Sequence, residues 1–127
     1  MKRPRVLLAD DDASIRTAIT RLLAPECDIV GSVADTASLF DVTEQLRPDV
    51  VLLDFSLAGR LNGIEVCRRL KTMRPDVAIV AFTAHNDPEL GRQVSEAGAS
   101  GYVWKLQAST DLLPAIRAAV DDLTTGS

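Results

Sequence analysis

This chain lacks most of the features that mark a specialised protein. It has no basic block: 14 lysines and arginines face 18 acidic residues, for a formal net charge of −4. That sets direct nucleic-acid binding by this domain aside. No apolar run approaches the length of a membrane span. The opening Met1-Lys2-Arg3-Pro4-Arg5 is basic, but a strand and an acidic cluster follow it, not the apolar core of a secretory leader. The two cysteines, Cys27 and Cys67, show no metal or redox spacing. They read as buried or half-buried free thiols in a reducing cytosol, so a cytoplasmic protein is expected. Internal repeats, low-complexity segments and dividing linkers are also missing. What is left is a chain of 127 residues, 46% hydrophobic and 25% charged, which suits one globular domain with a full core. A single domain over residues 1–127 is expected, with its core from about 5 to 123 and a frayed tail at 124–127.

The apolar residues fall into short runs that end in acid. Val50-Val51-Leu52-Leu53 follows Pro48-Asp49 and stops at Asp54. A short, β-branched run apolar at every position reads as a strand covered on both faces, as in a parallel sheet between helices. Val6-Leu7-Leu8-Ala9 repeats the pattern and runs into Asp10-Asp11-Asp12. Further strands are expected at Cys27–Val33, Val77–Phe82 and Tyr102–Trp104. Helical spacing separates them: Ile15, Ala18, Ile19, Leu22 and Leu23; Leu39, Val42 and Leu46; Val66, Leu70 and Met73; Leu90, Val94 and Ala97; then Leu112 or Leu113, Ile116, Ala119 or Val120, and Leu123. Pro25 stops the first helix. Asp12 suits its N-cap, Asn86 or Asp87 that of the fourth helix, and Asp111 that of the fifth, which places Pro114 in a first turn. Five strands alternating with five helices imply a doubly wound α/β fold with a five-stranded parallel sheet and right-handed crossovers.

In such a sheet the carboxyl ends of the strands share one edge, where open α/β sheets bind ligands. Asp10, Asp11, Asp54, Thr83 and Lys105 all stand at strand ends. Carboxylates that close raise one another's pKa unless a cation sits among them, and a hard divalent ion such as Mg2+ fits oxygen ligands. Three carboxylates, a hydroxyl and an ammonium make a kit for phosphoryl transfer onto an aspartate. Lys105 brings positive charge, and Thr83 a hydrogen bond to a phosphoryl oxygen.

The chain resembles a response-regulator receiver domain, the phosphoacceptor module of two-component signalling, from Val6 to about Leu123. The motifs are Leu-Leu-Ala-Asp-Asp-Asp with Arg16 further on, Asp-Val-Val-Leu-Leu-Asp at 49–54, Asn-Gly-Ile-Glu at 62–65, Phe-Thr-Ala at 82–84 and Gly-Ala-Ser-Gly-Tyr-Val-Trp-Lys at 98–105. Each alone is weak; all five in order, at strand ends, are specific. The resemblance implies the flavodoxin-like strand order 2-1-3-4-5 and Asp54 as the phosphorylated residue. It implies an Mg2+ site in which Asp11 ligates directly, Asp10 acts mainly through water, and Asp54 and the Ser56 carbonyl complete the shell. Lys105 would pair with Asp54 and then with the phosphoryl group, while Thr83 and Tyr102 would form the pair that rearranges on phosphorylation. The implied partners are a sensor histidine kinase or phosphotransfer protein and an output domain or target protein, with homodimerisation of the phosphorylated form left open. The chain is expected to act as a signalling domain, its chemistry limited to its own phosphorylation and dephosphorylation.

The sequence departs from that family in two places. After Asp54 the family usually has a proline near Ala58 and one residue fewer before the glycine, so Gly59-Arg60-Leu61 is expected to bulge. Lys105 is usually followed by a cis proline; here Leu106 follows, and a cis non-proline bond costs about 3 kcal/mol, so trans is expected. Receivers of this kind resemble those attached to helix-turn-helix output domains.

Two other function classes compete. A pseudo-receiver would only bind partners, but all the carboxylates, Thr83 and Lys105 are retained. An aspartyl-nucleophile phosphatase usually carries a second aspartate two residues after the nucleophile, where this chain has Ser56. Other residues read either way: His85 as a tuner of water access or a solvated loop residue, and Trp104 as a binding hot spot or packing at the sheet edge. Arg68, Arg69, Lys71 and Arg74 read as the solvated face of one helix.

Overall fold

The structure is a computed structural model describing residues 3–57, 59 and 61–125, with side chains to Asp121. Ala58, Arg60 and the Leu123 side chain, all named above, lie outside the described part. The strands are β1 (Arg5–Ala9), β2 (Asp28–Val33), β3 (Val50–Asp54), β4 (Ala78–Thr83) and β5 (Gly101–Trp104). Between and after them come α1 (Ala13–Leu23), α2 (Thr36–Leu46), α3 (Gly63–Met73), α4 (Pro88–Glu96) and α5 (Ala108–Thr125). The strands form one parallel sheet in the order β2-β1-β3-β4-β5.

Every residue of β3 and β4 is buried, as expected for central parallel strands. Successive side chains alternate between the two sheet faces. Val6, Leu8, Val50, Leu52, Val80 and Phe82 meet Ile19 and Leu23 of α1 and Leu112, Ile116 and Ala119 of α5. Leu7, Val51, Leu53 and Ile79 meet Leu39 of α2, and Val66, Cys67 and Leu70 of α3. The β1–β2 register slips by one residue between Val6 and Leu7, which pair with Ile29 and Gly31.

Asp12 caps α1, its carboxylate accepting from the Ser14 and Ile15 amides. Asp87, not Asn86, caps α4, with Pro88 in its first turn. The core stripe of α1 is narrower than expected: Ile15, Ile19 and Leu23 face inward, whereas Ala18 and Leu22, about 100° further round, are exposed. The α3 cations also differ from expectation. Arg68 and Arg69 are solvated, but the Lys71 ammonium donates to the Pro75 and Val77 carbonyls at 2.9 and 2.8 Å. Arg74 pairs with Glu44 of α2 at 3.0 Å.

The fifth helix begins earlier than expected. A 3₁₀ turn at Lys105–Gln107 leads directly into α5, so Asp111 is not its N-cap and Pro114 lies inside the helix. The helix is described through Thr125, and residues 126–127 of the tail expected at 124–127 lie outside the described residues. The Lys105–Leu106 bond is trans, since no cis peptide is present among the described residues. Leu106 is 75% exposed.

Candidate functional site

The site is built where β1, β3, β4 and β5 run out. Asp10 follows the buried end of β1 and is 4% exposed; Asp54 closes β3 and is 2% exposed; Thr83 closes β4 and is also buried. Asp11 stands exposed. Carboxylate oxygens of Asp10, Asp11 and Asp54 lie within 4.8 Å of one another. Lys105, just past β5, reaches in from the other side. Its Nζ lies 3.0 Å from Asp10 Oδ2 and 3.3 Å from Asp54 Oδ1. It also stands 5.3 Å from the centre of the Phe82 ring.

Backbone contacts hold these groups in place. The Asp10 amide donates to the Val33 carbonyl and the Phe55 amide to the Phe82 carbonyl, which ties both strand ends to their neighbours. Asp10 Oδ1 accepts from the Asp12 amide. The Arg16 guanidinium donates to the Asp10 carbonyl at 2.6 Å. Asp54 Oδ1 accepts from both the amide and the hydroxyl of Ser56, at 3.2 and 3.1 Å. Three donors therefore meet on one oxygen, counting Lys105.

The electrostatics follow from this crowding. Burial raises the Asp54 carboxyl above its usual value; the Ser56 amide and Lys105 offset part of that, and Asp10 adds to it. Burial alone would lower the Lys105 ammonium, but its hydrogen bond to Asp10 and the charges of Asp54 and Asp10 outweigh this and hold it above its usual value. Two buried carboxylates share one ammonium, with a third carboxylate beside them. The cluster is thus short of positive charge, and its hard oxygen donors suit a divalent cation such as Mg2+.

The remaining candidates fall around this centre. The Thr83 hydroxyl accepts from the His85 amide at 3.2 Å. Tyr102, half-buried, donates its hydroxyl to the His85 carbonyl at 2.6 Å and accepts from the Asp87 amide at 3.0 Å. His85 is exposed, as the solvated-loop reading had it. Two contacts escaped the sequence reading: the grip of Arg16 on Asp10 and the Ser56 hydroxyl on Asp54. Arg16 stood in a quoted motif, but nothing in the spacing indicated which atom it would meet.

A family model described as the response regulator receiver domain matches residues 6–117. The chain belongs to the response-regulator receiver family. Response regulator GacA of Pseudomonas viridiflava is 35% identical over 115 residues, 89% of this chain and 53% of that protein. The DNA-binding transcriptional activator DevR/DosR of Mycobacterium tuberculosis is 36% identical over 115 residues, 89% of this chain and 52% of that protein. A solved two-component response regulator of the LuxR family from Aurantimonas sp. SI85-9A1 matches with a TM-score of 0.87 at 31% identity, covering 94% of this chain and 86% of that one. The chain spans about half the length of the curated relatives it matches. As a receiver it is a signalling module of two-component systems, and its phosphoacceptor role follows from the family. Receivers bind Mg2+ at an acidic cluster, and response regulators partner with histidine kinases. Among the described residues no helix is long and apolar enough to cross a membrane.

Proposed function

We propose that Asp54 is the phosphoacceptor and that this chain, as a single receiver domain, switches an output partner or output domain. One observation carries the reading: the Asp54 carboxylate, buried at the end of a fully buried strand, lies among Asp10, Asp11 and Lys105. Its strand is paired with β1 up to Leu53 and with β4 through Asp54 itself, so the carboxylate is aimed at one point.

The phosphoryl donor is a phosphohistidine on a histidine kinase or phosphotransfer protein. A carboxylate oxygen of Asp54 attacks phosphorus, an O–P bond forms and the P–N bond breaks. The electron pair returns to the imidazole nitrogen, and the product is an aspartyl phosphate. Hydrolysis of that acyl phosphate resets the domain, and its own phosphorylation and dephosphorylation are the whole of its catalysis.

Asp11, Asp54 and the Ser56 carbonyl would hold Mg2+ directly, and Asp10 through water. Both Asp10 oxygens already accept a protein donor, the Asp12 amide and Lys105, which favours that indirect role. Bound there, the ion would neutralise phosphoryl oxygens. Lys105 leaves Asp54 for the phosphoryl group, and Thr83 and Tyr102 rearrange in response. A cytoplasmic location and dimerisation of the phosphorylated form belong to the same proposal.

Incubation with acetyl phosphate and Mg2+ tests this by intact-mass measurement and peptide mapping. One phosphoryl group is expected on Asp54 and none on Asp54→Asn. An adduct mapped to Asp10 or Asp11 overturns the assignment.

A further inference from the structure

The loop between β4 and α4, Ala84 to Asp87, is exposed throughout, and a loop this exposed has little of its own to hold it. It is instead held from outside, largely by β5. Tyr102 bridges the His85 carbonyl and the Asp87 amide. Trp104 donates its indole N–H to the Ala84 carbonyl at 3.2 Å. The fourth tie is the Thr83 hydroxyl itself, which accepts from the His85 amide.

Thr83 pairs with Trp104, and Ala81 with Tyr102, in the parallel β4–β5 ladder. Paired residues in adjacent strands point to the same sheet face, so both rings stand on the face that carries the Thr83 side chain. The Tyr102 ring lies beside Gly91 of α4, where a Cβ would stand in ordinary contact with it at 3.4 Å. An indole has one donor and no acceptor. Trp104 therefore has one bond to give, and gives it to the residue directly after Thr83.

We infer that Trp104 is a positioning residue, a second latch beside Tyr102 on the loop that sets the Thr83 hydroxyl. The inference rests on the Asp54 reading. The Thr83 hydroxyl accepts from the His85 amide in this arrangement, so turning its oxygen toward a phosphoryl group on Asp54 carries that acceptor away from the loop, and the loop shifts with it. The Trp104–Ala84 bond is made to the loop in its resting position, so breaking it is part of the cost of switching. Trp104 acts through the loop and touches neither phosphate nor metal.

The test uses the whole chain and two observables. Trp104→Phe keeps a ring and removes the donor. Amide exchange at 84–87 is expected to quicken about fivefold, the worth of one neutral hydrogen bond. The variant should bind beryllium fluoride with Mg2+ about fivefold more tightly, while exchange in β1 and β3 stays as in the wild type. Unchanged exchange and unchanged affinity overturn the latch, and so does loosening spread evenly over the whole fold.

Because the chain has one tryptophan, the wild type offers a check free of mutation. Its single indole N–H resonance should be protected at rest and lose protection when beryllium fluoride and Mg2+ are added. An indole equally protected in both states overturns the proposal. Absence of a phosphoryl adduct on wild-type Asp54 would instead remove the Asp54 reading, an outcome that the resting exchange of Trp104→Phe distinguishes.

Discussion

Asp54 and Lys105 carry opposite electrostatic burdens. The raised Asp54 carboxyl means that the fold prefers it protonated, so ionisation costs stability. That contribution is most favourable below the ordinary carboxyl value and is lost as pH rises through the raised folded value. Asp54→Asn keeps the shape and removes the charge. Without Mg2+ it should melt higher than wild type near pH 7, with the gap closing as pH falls. A rise of about 3 °C would correspond to roughly 1 kcal/mol in a domain of this size. A variant that melts lower at neutral pH would show the carboxylate to be net stabilising. Lys105 is raised as well, so its contribution is fully present below 10.5 and lost as pH rises through its folded value. Lys105→Ala leaves two buried carboxylates facing each other. Breaking such a pair from one side costs about 3 kcal/mol. Urea titration should show that loss at neutral pH and its recovery as acid neutralises the carboxylates. Some phosphorylation should survive in Lys105→Ala, uncoupled from the change at Tyr102.

Helix α5 shows how an element is shaped by more than its sequence pattern. Apolar spacing offered Leu112 or Leu113, Ile116, and Ala119 or Val120 for the stripe; Leu112, Ile116 and Ala119 are the buried set, with Leu113 and Val120 half-buried beside them. The start was misplaced because Pro114 and Asp111 together suggested an N-terminal turn. Instead the 3₁₀ turn after β5 feeds the helix from Ala108, and packing against the sheet carries the chain through the proline. Pro114 cannot donate to the carbonyl four residues back, at Thr110, and it is exposed. Pro114→Ala should therefore stabilise the domain by up to the interior-helix penalty of ~3 kcal/mol, because Pro114 lies beyond the first four positions of α5, whose N–H groups have no helical partner. Calorimetry checks the sign, and a lower melting temperature would mean that the proline suits the local backbone. Arg5 works at the opposite edge of the sheet, where its guanidinium bonds the Leu46 and Arg47 carbonyls at the end of α2.

For the molecule as a whole, the acidic cluster makes stability depend on metal. A ligand at about ten times its dissociation constant stabilises the state that binds it by about 1.4 kcal/mol. Sites that keep several waters bind Mg2+ weakly, so millimolar Mg2+ should raise the melting temperature of the wild type. Asp11→Ala should abolish most of that rise while leaving the metal-free melting temperature nearly unchanged, because Asp11 is exposed. An equal Mg2+ response in the variant would remove Asp11 from the site.

The sequence by itself determined the alternation of buried strands and amphipathic helices, because parallel strands must be apolar on both faces and helices on one. It also placed Asp10, Asp11, Asp54, Thr83 and Lys105 at strand ends, since each apolar run stops abruptly at a polar residue. The pairing of distant atoms was decided by tertiary structure alone. Lys105 is 95 positions from Asp10, and no local pattern shows that its ammonium would sit nearer Asp10 than Asp54. Lys71 and Arg74 looked like solvated charge because their spacing matches an exposed face; only the turn after α3 and the neighbouring α2 give them partners. Trp104 could be read either way from sequence, because an indole N–H finds its acceptor only once β4 and β5 are paired and the next loop is folded back.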